Sequence, residues 1–179
     1  SSLIARDPAN AFDNKHGNMP CSSGSKESIS KQLPTANEQI MYLLDSLDKD
    51  KYLVITCAKN ENNYIREWIQ HYPDLNFDKI IICDNNDDDS LISVVSDYIE
   101  RGVVEIFDCR LLGSFQVQIY SMFCTEGNYK WCGYFDCDEF LELGLYSDIK
   151  EYLSTKENEV CVSFNWMIYG SNGELFRKD

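Results

Sequence analysis

Asp136, Cys137, Asp138 and Glu139 place three carboxylates within four residues, directly after the apolar run Trp131-Cys132-Gly133-Tyr134-Phe135 and directly before Phe140-Leu141. An ionised carboxylate at the end of a buried strand loses several kcal/mol of hydration unless something pairs with it. A hard divalent cation is the usual partner for oxygen ligands packed this tightly. A cation held by one or two carboxylates keeps its other positions open, which suits it to gripping a diphosphate. Asp136 and Asp138 flank a single residue, so they can converge on one ion where the strand breaks into a loop. The plain alternative is a strand end with solvated acids. Two further polar clusters follow apolar runs in the same way, Lys59-Asn60-Glu61 and Asp84-Asn85-Asn86.

The elements that would position these clusters alternate along the chain. Asn37 can cap a helix whose apolar positions are Ile40, Leu43, Leu44 and Leu47. Lys51 to Ala58 is a short continuous apolar run, as in a strand covered on both faces. Asn60-Glu61 opens a helix with Tyr64, Ile65, Trp68, Ile69 and Tyr72 on one face, ended near Pro73. Lys79 to Cys83 is the second strand. A helix carrying Leu91, Val94, Val95, Tyr98 and Ile99 follows and stops at Gly102. Val103 to Phe107 is the third strand, and Ser114 to Cys124 a helix with Phe115, Ile119, Met122 and Phe123 inward. Tyr129 to Phe135 delivers the carboxylates, then come a short helix, Asp148 to Leu153, and a strand, Val160 to Trp166. This alternation predicts βαβ units and a mostly parallel sheet. Ligands in such sheets bind beyond the carboxyl ends of the strands, where all three polar clusters fall.

Residues 1 to about 36 are polar, rich in Ser, Asn, Asp and Gly, and hold three of the four prolines. They read as a mobile or loosely packed arm. The remainder, 37 to 179, is one domain. With 30 Asp+Glu against 16 Lys+Arg the formal charge is -14, which argues against nucleic acid or an anionic membrane held through a broad basic face. No apolar run approaches the roughly 20 residues of a membrane span. The eight cysteines include no C-x-x-C pair, and Cys57, Cys83, Cys132 and Cys161 lie in or beside apolar runs, where free Cys behaves as a small buried hydrophobe. A structural zinc site lacks support, and the reading is a reduced, cytoplasmic protein.

Taken together, C-A-K-N-E-x-x-Y-I-x-E-W (57 to 68), I-I-I-C-D-N-N-x-D-x-S (80 to 90) and F-D-C-D-E-F-L (135 to 141) resemble glycosyltransferase family 2 and its relative, family 92. The resemblance spans residues 52 to about 176, in order. It implies an α/β, Rossmann-like three-layer fold of GT-A type and a hexosyltransferase-like activity with inversion. The implied donor is a nucleotide-sugar, the cofactor Mn²⁺ or Mg²⁺, and the acceptor a glycan or lipid-linked saccharide, with room for peripheral membrane association. By position, Ala58, Lys59, Asn60 and Glu61 would border the nucleotide, and Asp84 would bond the base or ribose. Asp136 and Asp138 match the two acids of the D-x-D motif, Asp138 as the direct metal ligand. Glu139 would support them without touching the ion, or stand as a solvated acid. The family's domains continue well past this point, so the chain is expected to hold the donor half of a site without the acceptor half, and no residue is assigned as the general base.

Other residues carry weaker signals. Trp166 could stack on a sugar or pack in the core. Gln116, Gln118 and Tyr120 lie near the expected sugar site, and alternate Gln residues on a helix diverge, so one at most faces a ligand. Arg110 could offset diphosphate charge or pair with a neighbouring acid. Asp87-Asp88-Asp89 lacks the spacing of a calcium loop and reads as a helix cap. The aromatic stripe Tyr64, Trp68, Tyr72 reads as packing, and His71 as a surface or half-buried residue. Two rivals stand beside the transferase. A nucleotidyltransferase would carry a Gly-rich basic loop after the first strand, and a non-catalytic interaction domain would keep the fold without turnover.

Overall fold

The computed structural model describes residues 2–6, 36–110, 115–126 and 128–169. In chain order these form β1 (Ser2–Arg6), α1 (Ala36–Ser46), β2 (Tyr52–Ala58), α2 (Ile65–Asp74), β3 (Lys79–Asp84), α3 (Ser90–Glu100), β4 (Val104–Asp108), α4 (Phe115–Glu126), β5 (Trp131–Tyr134), α5 (Ile149–Ser154) and β6 (Cys161–Phe164). The strands make one sheet in the order β4-β3-β2-β5-β1-β6. β2 is parallel to β3 and β5, and β3 to β4. Only β1 runs against its neighbours, β5 and β6. The mixed α/β architecture with a mostly parallel sheet is therefore present.

Burial explains which runs became central strands. β2 and β3 sit inside the sheet and are covered on both faces, so their sequences are continuously apolar. β6 ends the sheet and alternates buried with exposed positions. On one face, Val54, Ile80, Ile82 and Phe135 pack against α2, α3 and α5 through Trp68, Tyr72, Leu91, Val95 and Leu153. On the other, Leu53, Ile55, Ile81 and Tyr134 pack against α1 and α4 through Leu44, Ile119 and Phe123, and against Leu47 just past the end of α1. The layers are thus helix, sheet, helix. No helix among the described residues is long and apolar enough to cross a membrane.

Several local expectations shift. Asn37 lies inside α1 rather than capping it. α2 begins at Ile65, not at Asn60-Glu61, because Asn60 adopts a left-handed conformation (φ 63°) and its N–H is drawn to Asn86. Pro73 sits in the last turn of α2, and the reversal comes later, at Asn76 with φ 66°. Gly102 ends α3 with φ 71°, where a side chain would be strained. Tyr64 is 47% exposed, so only Trp68 and Tyr72 of the aromatic stripe pack inside. Ser2–Arg6, read as part of the polar arm, form the reversed inner strand with Ile4 and Ala5 buried. The rest of that arm, residues 7–35, lies outside the described residues. Seven cysteines are described, all as free thiols. Cys83 and Cys132 are buried and Cys57 half-buried, but Cys161 is exposed because β6 is an edge strand.

Gly133 in β5 connects the fold to the acidic turn. A Cβ at this position would lie 2.5 Å from Cε2 of Phe135, whose ring folds back over the glycine. That ring is packed on Tyr72, centroid to centroid 5.3 Å, so it has little freedom to retreat. Gly133→Ala is expected to cost about 1–3 kcal/mol of stability through overpacking, measured by urea denaturation. An unchanged midpoint would show that the ring moves freely.

Candidate functional site

The parallel strands β2, β3, β4 and β5 end at one rim of the sheet. The polar residues that follow them therefore meet there, although they are far apart in sequence. β3 and β2 are stitched beyond their ends by Asn85 N–H donating to Ala58 O at 2.9 Å, and β4 and β3 by Cys109 N–H donating to Asp84 O at 2.8 Å.

The acidic turn owes its geometry to the residue between the aspartates. Cys137 is buried, with Sγ 3.2 Å from Thr56 Oγ1 of β2, while Asp136 and Asp138 on either side are exposed. The middle residue of the turn is thus anchored inward while both flanking acids stay at the surface. Burial pushes the Cys137 thiol up to about 12, which keeps it neutral. Glu139 closes the turn. Its N–H donates to Asp136 O at 3.0 Å, and its Oε2 accepts from Asp136 N–H at 3.0 Å. This reciprocal pair has the logic of a capping box, so Glu139 holds the turn that carries the aspartates. From below, Tyr72 Oη donates to Glu139 O at 2.8 Å, and His71 Nε2 lies 2.9 Å from Leu141 O.

Asp136 Oδ1 accepts from Gln116 Nε2 at 2.7 Å. Partial burial raises its carboxyl above the usual carboxylate range, the Glu139 and Asp138 charges push the same way, and the Gln116 bond opposes them. A divalent cation would relieve that crowding. The donor set of Asp136 and Asp138, two hard oxygen ligands at an open rim, fits Mg²⁺ or Mn²⁺, which take one or two carboxylates and leave positions for phosphates. Among the described residues no group of three or more His, Cys, Asp or Glu is placed so that it could hold a metal ion.

Two clefts open along the rim. The first, about 280 Å³, is lined by Gln116, Tyr120, Cys124, Tyr134, Asp136, Glu139 and Trp166. Trp166 is 61% exposed there, not part of the core. The second, about 430 Å³, is lined by Asn60, Asn62, Asn63, Asn86, Asp87, Asp88 and Ser90. Asn62 Nδ2 donates to Ser90 Oγ at 2.6 Å, and its Oδ1 is buried without a donor among the described residues.

Asp84 lies beneath the second cleft, 6% exposed. Its Oδ1 accepts from both the N–H and Nδ2 of Asn86, each at 2.8 Å. Asn86 Oδ1 in turn accepts from Asn60 N–H at 2.6 Å. The buried pair therefore ties the loop after β3 to the loop after β2. Burial raises the Asp84 carboxyl, against the pull of Asn86. Asp84→Asn keeps an acceptor for Asn86 and should stay within about 1 kcal/mol of the unaltered stability, whereas Asp84→Ala should lose about 1–3 kcal/mol. A group raised by folding stabilises in acid and loses that stabilisation as pH rises through its folded value. Thermal melts across pH should therefore favour the Asn variant increasingly from acid toward neutrality, and a gap of opposite slope would refute the assignment.

Of the residues singled out by sequence, Asp136, Glu139, Gln116, Tyr120 and Trp166 meet in the first cleft, and Asn60 lines the second. Ala58 is fully buried, Lys59 and Asp138 are exposed at the rim, and Glu61 is half-buried. Gln118 lines neither cleft, consistent with the divergence of alternate helix positions. Arg110 is engaged by Asp108 and Asp89. The cap at α3 comes from Asp88, which accepts from Ser90 N–H at 3.0 Å, and not from Asp89. Asn86, from the polar cluster after β3, also lines the second cleft, whereas the sequence does not single out Cys124, Tyr134 or Asn62. Gln116, Tyr120 and Cys124 recur every four residues, a stripe that the helical period alone could have exposed. The fold and rim define a mixed α/β protein with an acidic turn at the carboxyl ends of parallel strands. No protein-family model matches the chain, and no curated protein matches it.

Proposed function

We propose that this chain carries the donor-binding part of a metal-dependent glycosyltransferase of GT-A type. It would move a hexosyl unit from a nucleotide-sugar to a hydroxyl of a glycan or lipid-linked saccharide, with inversion, in a reducing cytosolic setting. The observation that carries this reading is the turn after β5, in which a buried Cys137 lies between exposed Asp136 and Asp138. Asp136 and Asp138 would hold Mn²⁺ or Mg²⁺, which supplies positive charge to the diphosphate as it leaves. Asn60, Asn62 and Asn86 line a cleft rich in amides, suited to the hydrogen-bonding edges of a nucleoside. Trp166, beside Asp136, offers an apolar face for a sugar ring. Lys59, Glu61 and Asp84 border the same rim. In an inverting transfer the acceptor hydroxyl gives its proton to a general base, for which no residue is assigned, and its oxygen bonds to the anomeric carbon as the bond to the diphosphate oxygen breaks.

The test is calorimetric titration of UDP and GDP into the chain, in Mn²⁺ and in EDTA. The proposal expects saturable binding of one nucleotide that is strengthened by the metal. Absence of any manganese-dependent binding would refute it.

A further inference from the structure

We propose that Gln116 is the positioning residue for the metal-facing carboxylate of Asp136, and that Tyr120 sets the orientation of Gln116. The inference rests on the donor-site reading above. The Nε2 group of Gln116 has two hydrogens. One is directed to Asp136 Oδ1 at 2.7 Å, the other to Tyr120 Oη at 3.3 Å, one helical turn further along α4. The Tyr120 ring stands edge-on to Tyr134, centroids 5.0 Å apart. Tyr134 is fixed in turn, its Oη accepting from Cys124 Sγ at 3.2 Å and lying 3.0 Å from Tyr129 Oη. Tyr134 also ends β5, two residues before Asp136. The helix thus holds the carboxylate through Gln116, and the ring contact of Tyr120 with Tyr134 ties that helix to the strand leading into Asp136.

The chemistry of the brace matters as much as its position. Asp136 is exposed, and an unheld carboxylate would sample several rotamers before meeting an ion. A Lys or Arg in place of Gln116 would hold it equally well but would spend its charge and repel a divalent cation. A neutral amide donor directs one oxygen while leaving the carboxylate negative. Gln116 is itself exposed and borders the cleft, so its removal should not disturb the core.

The experiment measures UDP affinity by calorimetry in Mn²⁺ and in EDTA for the unaltered chain, Gln116→Ala, Gln116→Lys and Tyr120→Phe. Gln116→Ala is expected to weaken manganese-dependent affinity about tenfold while affinity in EDTA is unchanged. That split is one a general structural defect would not produce. Gln116→Lys should lose at least as much, through competition for the carboxylate, and Tyr120→Phe should lose less than Gln116→Ala. If the unaltered chain shows the metal dependence and Gln116→Ala matches it, the positioning role falls alone. If all variants lose affinity equally in Mn²⁺ and EDTA, it also falls. If the unaltered chain shows no metal dependence, the donor-site reading falls and takes this one with it.

Discussion

Replacing Asp138 with alanine is expected to reduce manganese-dependent binding of a nucleoside diphosphate by about a hundredfold or more, equivalent to about 2.7 kcal/mol. The side chain is exposed and Cys137, not Asp138, anchors the turn, so the substitution removes a ligand without removing packing. Stability should stay within about 0.5 kcal/mol of the unaltered chain, as for surface positions outside a structural network. Asp138→Asn keeps the shape and one oxygen but lacks the charge, and should fall between the two. Titration of UDP in Mn²⁺ decides the matter, with EDTA as the control. A titration of Asp138→Ala that overlays the unaltered one would remove Asp138 from the metal site. Loss of binding together with a collapsed melting transition would assign it a structural role instead.

Tyr72→Ala should be the most destabilising of the substitutions considered, by about 3–5 kcal/mol, the range for deleting a buried aromatic ring. Tyr72 is fully buried at the centre of an aromatic cluster, 4.6 Å from Trp68, 5.3 Å from Phe135 and 5.5 Å from Phe77 by ring centroid. Native domains hold only about 5–15 kcal/mol in reserve, so the loss is a large share of the total. Its hydroxyl has a second task, donating to Glu139 O beneath the acidic turn. Tyr72→Phe separates the two. It keeps the ring and should cost about 1 kcal/mol, while loosening the turn that presents Asp136. Urea denaturation reads the first effect and metal-dependent nucleotide affinity the second. A Tyr72→Ala shift below about 1 kcal/mol would mean that neighbouring rings fill the cavity.

The secondary elements that build the rim were legible because their signals are local. Continuous apolar runs marked β2 and β3, and the spacing of Ile65, Trp68, Ile69 and Tyr72 marked the buried face of α2. The acidic turn was legible for the same reason, since three carboxylates against an apolar strand are visible without any partner. The boundaries drifted where a side chain competed with the backbone. Asn60 left the helical register to meet Asn86, and the start of α2 moved to Ile65. The chemistry of that contact, an amide accepting an N–H from 26 residues away, has no periodic trace.

The sequence by itself determined the element types, the alternation that favours a parallel sheet and the three polar clusters at strand ends, because propensity, hydrophobic period and charge act over a few neighbouring residues. The tertiary structure alone decided that Ser2–Arg6 would run reversed between β5 and β6, that Asp84 would be buried on Asn86, that Gln116 would reach Asp136, and that Cys161 would be exposed on an edge. Each of these depends on which distant segments become neighbours. A pairing between strands more than a hundred residues apart is set by the fit of whole faces and the hydrogen bonds left to satisfy, and those quantities exist only once the chain has folded.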